Sequence, residues 1–390
     1  MEYKRLIELM IRDGISDILF KPGSCPLIRV NGQLVQTNLE PLTATQTEEI
    51  TKSLLTPQQF KEFSEKNELD IACTVDGLSR FRANIYRQKG TIAVALRTIP
   101  LKIKNFEDLH LPNQTLKKLV SQGRGLILFA GVTGAGKTTT MNAVINYLNS
   151  NFTYNIITIE DPIEYLHSDI KSSISQREVG SDTSSFQEAL RHVLRQSPDV
   201  IAIGEMRDQE TMSAALQAAE SGHLVLSTIH TIDAVRAVGR IVDIFPPHEQ
   251  ASIRQQVANV ITGVVAQRLP RSIDGKSRYP ATEILIGTTF MKRLLAEART
   301  EEVSRMMGQD TYYGMHTFDQ DLEHLHTQNL ISTQEALNHA SNLEDLALKL
   351  RGVDRGVGSP GAPGVPEDTS GPGSFEVDLS QGSQPPKRPR

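Results

Sequence analysis

Three observations predict an α/β fold. Between residues 113 and 285, apolar runs of strand length alternate with helical stretches. A glycine-rich turn, GVTGAGKT at 131–138, joins one such run to one such helix. The first hundred residues carry strand-like runs of a different rhythm, preceded by an amphipathic helix. Alternating buried strands and helices favour a mainly parallel sheet covered on both faces. With 390 residues, 38% of them hydrophobic and 22% charged, the chain suits two or three domains and can bury their cores.

The elements follow in order. MEYKRLIELMIRDG puts Tyr3, Leu6, Ile7, Met10 and Ile11 on one helical face, opposite Glu2, Arg5, Glu8 and Arg12. That is an amphipathic surface helix, not the unbroken apolar stretch of an export signal. DILF (17–20), PLIRVNGQLV (26–35), IACTV (71–75), RFRANIYRQ (80–88) and TIAVALRTI (91–99) read as strands. The last two alternate around Lys89-Gly90 and predict a hairpin. Residues 1–100 therefore form a small α/β domain, and 101–112 a linker with a short helix.

From 113 to 287, LILFAGV, NIITIE, DVIAIGE and HLVLSTIH read as buried strands between helices at 137–149, 183–196, 208–220 and 233–243. From 288 to 351 the pattern is helical, in FMKRLLAE, FDQDLEHLHTQ and TQEALNHASNLEDLALKL. Residues 352–390 turn to Gly, Pro and Ser, a composition that buries too little to order itself, so a disordered tail is predicted.

The charge balance, 41 basic against 46 acidic residues, is −5, with a pI near 6.1. No net positive field draws the chain to nucleic acid or an acidic membrane, and no nucleic-acid partner is expected. Two cysteines, Cys25 and Cys73, exclude a four-thiolate zinc site and a disulfide scaffold. No apolar run approaches the ~20 residues of a membrane span. A cytoplasmic protein without direct membrane insertion is predicted.

The chemistry centres on 131–138, which fits G-x-x-x-x-G-K-[ST] between a strand and a helix. Gly131, Val132, Thr133, Gly134, Ala135 and Gly136 form the loop whose N–H groups cradle phosphates. Lys137 neutralises the β- and γ-phosphates, Thr138 ligates Mg²⁺, and Thr139 continues the cradle into the helix. ATP and Mg²⁺ are the expected ligands. Hydrolysis also needs acids near metal and water. Glu205 ends the strand DVIAIGE, where an Asp would be commoner, and Glu160, Asp161 and Glu164 follow NIITI. Acids at strand C-termini meet at the nucleotide edge of a parallel sheet. His223 and His230, seven apart, do not have metal-ligand spacing, and His324 and His326 point to different helix faces.

GVTGAGKTTT, TIEDPIEYLH, QREVGSDTSSFQEALRHVLRQSPDVIAIGEMRD and AAESGHLVLSTIHT together resemble the type II/IV secretion-ATPase superfamily. The resemblance is closest to the type IV pilus retraction motors of the PilT/PilU family and covers roughly residues 1–350. It implies a hexameric ring ATPase with an N-terminal PAS-like domain, a C-terminal RecA-like P-loop domain and a helical C-terminal extension. Such a motor sits at the inner-membrane base of the pilus machine and moves an inner-membrane platform protein in twitching motility. Mixed assembly with a paralogous retraction motor is a further implied partnership.

By the same resemblance, Glu164 activates water, Glu205 is the Walker B acid beside the metal, and His223 and His230 sense the nucleotide. Arg82 and Arg97 match arginines that reach a neighbouring subunit's γ-phosphate. Pilus assembly and type II secretion relatives resemble longer chains, usually with a tetracysteine zinc motif. QREVGSDTSSF, LRQSPDV and the stretch from GMHTFDQ to DLALKL lean toward the accessory PilU type, whereas GEMRDQETM and STIHT lean toward PilT. The retraction signature AIRNLIRE stands here as FMKRLLAE (290–297), which keeps Leu294 and Glu297 but has Ala296 for the second Arg. An assembly or secretion ATPase, a RecA-like nucleic-acid translocase and a non-hydrolysing ATP-binding regulator are the alternatives.

Overall fold

The computed structural model describes residues 6–8, 15–30, 33–75, 79–99, 103–354 and 374–375. It divides into two compact units, residues 1–101 with 362–390, and residues 102–361.

The first unit is an antiparallel sheet with helices on one face. Its strands are β1 (Asp17–Phe20), β2 (Leu27–Val30), β3 (Gln33–Thr37), β4 (Glu68–Val75), β5 (Ser79–Gln88) and β6 (Thr91–Thr98), in the spatial order β3-β2-β1-β6-β5-β4. Alternation sends Ile18, Phe20, Ile28, Phe81, Ile85 and Leu96 into the core. Leu6 and Ile7, in helical residues 6–8, are buried in the same cluster; the rest of the expected first helix lies outside the described residues. The β5–β6 hairpin turns at Lys89 and Gly90, with φ of 48° and 78°, as a two-residue turn between twisted strands demands.

Two helices that the strand-rich reading did not single out, α1 (Ala44–Leu54) and α2 (Pro57–Lys66), complete this core through Ile50 and Phe63. Each opens with a capping box, Thr43 with Gln46 and Thr56 with Gln59, and α2 has Pro57 at its first position.

The second unit begins with turns at 106–110 in place of the expected short helix, followed by α3 (Asn113–Val120). Its sheet comprises β7 (Gly125–Ala130), β8 (Asn155–Glu160), β9 (Ser173–Glu178), β10 (Val200–Ile203), β11 (Leu224–Ile229), β12 (Ile261–Arg268) and β13 (Ala281–Ile286). The order is β13-β12-β7-β11-β10-β8-β9, parallel throughout except for β13. β7 and β11 are buried along their whole length, which explains their unbroken apolar sequences.

Helices α4 (Lys137–Asn151), α5 (Phe186–Val193), α6 (Gln209–Glu220), α7 (Ala234–Asp243) and α8 (Gln250–Val260) cover the two faces. Beyond β13 come α9 (Thr289–Ala296), α10 (Thr300–Gln309), α11 (Phe318–Thr327), α12 (Thr333–Asn338) and α13 (Leu343–Asp354). Leu294, Phe318, Leu322 and Leu346 join the core of β12 and α7, so these helices share the apolar interior of the second unit. Within the expected tail, α13 continues through Asp354 and Ser374–Phe375 forms a two-residue strand, β14, parallel to β3; the remainder lies outside the described residues.

Candidate active site

Parallel register brings the C-terminal ends of β7, β11, β10 and β8 to one side of the sheet, where 131–138 and His230 follow their strands, Glu205 stands two residues beyond β10 and Glu160 is the last residue of β8. The loop after β7 needs its glycines. A Cβ on Gly131 would lie 2.8 Å from both the Ala135 Cβ and the Gln267 carbonyl oxygen. Gly136 caps α4 at φ 90°, and no side chain caps the helix, so its first-turn N–H groups and positive end remain available to an anion.

Lys137 is buried, and its Nζ donates to the carbonyls of Gly131 (2.9 Å) and Val132 (3.0 Å). Burial lowers its pKa, opposed by the charges of Glu205 and Glu164.

Glu205, after β10, has two side-chain partners. Oε2 lies 3.1 Å from the His230 Nε2, and Oε1 is paired with the Arg207 Nε. The Thr228 hydroxyl donates to the Gly204 carbonyl at 2.6 Å and ties the end of β11 to this turn.

Residues 161–167 leave β8 as a loop seated on β9. Glu160 is interior: Thr158 donates to it at 2.6 Å and Gln176 at 3.1 Å, and burial pushes its pKa up. The other contacts of Gln176 grip the loop, with Nε2 donating to the Tyr165 carbonyl (2.8 Å) and Oε1 accepting from the His167 N–H (2.8 Å). Glu178 accepts from the Ile163 N–H at 3.0 Å. The loop also reaches α4: Tyr165 hydroxyl to Thr139 hydroxyl (3.1 Å), and His167 Nε2 to Asn142 Oδ1 (2.8 Å). Asn142 in turn donates to the Thr138 carbonyl at 2.9 Å. The half-buried Glu164 is thus carried on a loop fixed from both sides.

His223 lies apart from this group. It precedes β11 at the strand's other end, where its carbonyl accepts from the Gly125 N–H, and its Nδ1 meets Ser221 Oγ (2.9 Å) and the Ala218 carbonyl (3.0 Å). Six residues of strand put it ~20 Å from His230. Its place is a sheet end remote from its own chain's phosphate loop, because seven residues along a buried strand cross the whole sheet. Arg82 and Arg97 lie in the first unit, directly opposite each other on β5 and β6, and the Arg97 Nε donates to Asp17 Oδ1 at 2.8 Å.

Sequence reasoning did not single out Gln176, Glu178, Asn142 or His167. The available signal was alternation in SISQRE: Gln176 and Glu178 stand two apart, on the same face of one strand. Beside the phosphate loop, a cavity of about 410 Å³ is bounded by 132–135, Gln267, Leu269, Arg278 and 338–340.

A phosphate loop at the end of a central parallel strand, with carboxylates after neighbouring strands, defines a RecA-like P-loop nucleotide-binding protein. Residues 89–353 match the family described as Type II/IV secretion system protein, and the chain belongs to that family. It is 40% identical over 351 residues to the type IV pilus ATPase PilU of Pseudomonas aeruginosa, covering 90% of this chain and 92% of that one. It is 38% identical over 340 residues to the same organism's pilus retraction ATPase PilT, covering 87% and 98%. The crystal structure of the pilus retraction motor PilT with bound ADP superposes with a TM-score of 0.82 at 39% identity, covering 88% of this chain and 98% of that chain.

Proposed function

We propose that this chain hydrolyses ATP to drive type IV pilus retraction in twitching motility. The observation that carries this reading is a glycine-rich phosphate loop with a buried Lys137 at the end of a central parallel strand, in a chain similar along most of its length to PilU and PilT.

Residues 131–139 bind the triphosphate through backbone N–H groups, and Lys137 compensates its β/γ charge. Thr138 and Glu205 offer the oxygen donors that suit Mg²⁺, an ion that neutralises phosphate charge when bound with the nucleotide. Glu164 accepts a proton from the attacking water as the terminal P–O bond breaks to leave ADP and phosphate. His230, beside Glu205, ties the end of β11 to nucleotide state. Arg82 and Arg97 act on a neighbouring subunit's γ-phosphate, so hydrolysis depends on assembly into a homo-hexamer.

Among the described residues no helix is long and apolar enough to cross a membrane. A position at the inner-membrane base of the pilus would rest on a platform protein that the ring moves. Ala296, in place of the retraction signature's second arginine, favours a second reading as an accessory motor of the PilU kind, assembling or acting with a paralogous retraction motor.

The test is deletion of the gene in its host, with imaging of pili and twitching. Excess pili with lost motility support retraction, and bald cells would point to assembly. Full retraction in the deletion strain, lost only when a second motor is also removed, would assign the accessory role.

A further inference from the structure

The outer face of the first unit's sheet carries a row of charge that its fold does not need. Register places Arg29 beside Asp17, Asp17 beside Arg97, and Arg97 beside Arg82. Directly opposed residues of antiparallel strands share a face. The neighbouring row on β5, β6 and β1, Ala83, Leu96 and Ile18, is fully buried, so this row faces away from the core. Asp17 is shared between Arg29 and Arg97, and Arg82 stands directly across from Arg97. Like charges in that relation destabilise a sheet. An arrangement that costs the fold stability is explained by an anionic ligand.

The carboxylate is the organised member. Asp17 keeps 13% of its side-chain surface exposed, accepts from the Arg97 Nε through Oδ1 at 2.8 Å, and meets the Arg29 Nε (3.3 Å) and Ser16 Oγ (2.8 Å) through Oδ2. The Arg97 side chain remains 68% exposed. Its contact with Asp17 uses Nε, which leaves the Nη pair of the fork available for bidentate contact with phosphate oxygens.

We propose that Asp17 is the positioning residue of this row, holding Arg97 by Nε so that its Nη groups, with Arg82, present a preset cationic fork to the terminal phosphate of a nucleotide bound in a neighbouring subunit. This rests on the trans-arginine role proposed above and adds the group that fixes its geometry. Asp17 does not touch the nucleotide. Its effect is to restrict the guanidinium's orientation before the transition state forms, and misplacement on the scale of an ångström costs on the order of 10²-fold in rate.

The experiment is steady-state ATP hydrolysis by full-length Asp17→Ala, Asp17→Asn, Arg97→Ala and the double variant Asp17→Ala/Arg97→Ala, with assembly state and melting temperature measured in parallel. The expected result is a kcat lowered roughly 10- to 100-fold in Asp17→Ala with little change in KM. A smaller loss is expected in Asp17→Asn, which keeps one acceptor oxygen, and the double variant should be no slower than Arg97→Ala alone. A merely structural aspartate would lower melting temperature without that non-additivity. Loss of turnover in Arg97→Ala beside wild-type turnover in assembled Asp17→Ala, or losses that multiply in the double variant, would overturn the positioning role alone. Full activity of Arg97→Ala would overturn the trans-arginine role and the proposal with it.

Discussion

His167 ties the acid-bearing loop to α4, and it does so as a neutral imidazole. Burial lowers its pKa from 6.5 to about 4. The unfolded chain binds a proton at His167 below about pH 6.5, whereas the folded chain does so only near pH 4, so unfolding takes up a proton in that window. The stabilising effect is complete above pH 6.5 and is lost as pH falls through the window, by roughly 3 kcal/mol at 1.36 kcal/mol per pH unit. Glu160 works in the opposite sense, since its raised pKa favours the folded state at low pH. A comparison with His167→Gln separates the two. Denaturant unfolding from pH 7.5 to 4 should show the variant losing less stability than the wild type. Parallel curves would mean that His167 is not held neutral.

At the scale of elements, β9 is the support that makes the loop 161–167 a site. Gln176 alone makes hydrogen bonds to Glu160, Tyr165 and His167. Gln176→Leu should lower kcat about tenfold or more with KM for ATP little changed, because Glu164 loses its seat while the phosphate loop remains. An unchanged kcat would show that the other supports suffice. The phosphate loop, the four apolar strands around it and the β5–β6 hairpin were legible because each is local: a periodicity or a turn written in consecutive residues. Helices α1 and α2 were equally local through Thr43/Gln46 and Thr56-Pro57/Gln59, but short β-rich runs on both sides drew the reading toward strands. The role of β9 was not legible, because it depends on which strand lies at the edge beside β8 and not on a property of SISQRE. His223 shows the reach of a motif in space: β11 carries the two histidines to opposite ends of one strand, so neighbours in the motif are not neighbours in the fold.

At the scale of the whole molecule, the phosphate loop belongs to one unit and the paired arginines to the other, and the proposed chemistry needs both. Lys137 and the loop compensate part of the charge that builds on the terminal phosphate, and a guanidinium supplied in trans adds on the order of 10³–10⁵ in rate in other P-loop enzymes. A ring built this way fires only when assembled, which suits a motor whose output is movement of a shared partner. The measurement that bears most directly on this is ATP turnover by mixtures of Lys137→Ala and Arg97→Ala at varied ratios, each strongly impaired alone, with mixed assembly verified. Some interfaces then join an intact phosphate loop to an intact arginine, so partial activity that peaks at intermediate ratios is predicted. Turnover at the level of the separate variants in verified mixed rings, or wild-type turnover by Lys137→Ala alone, would contradict it.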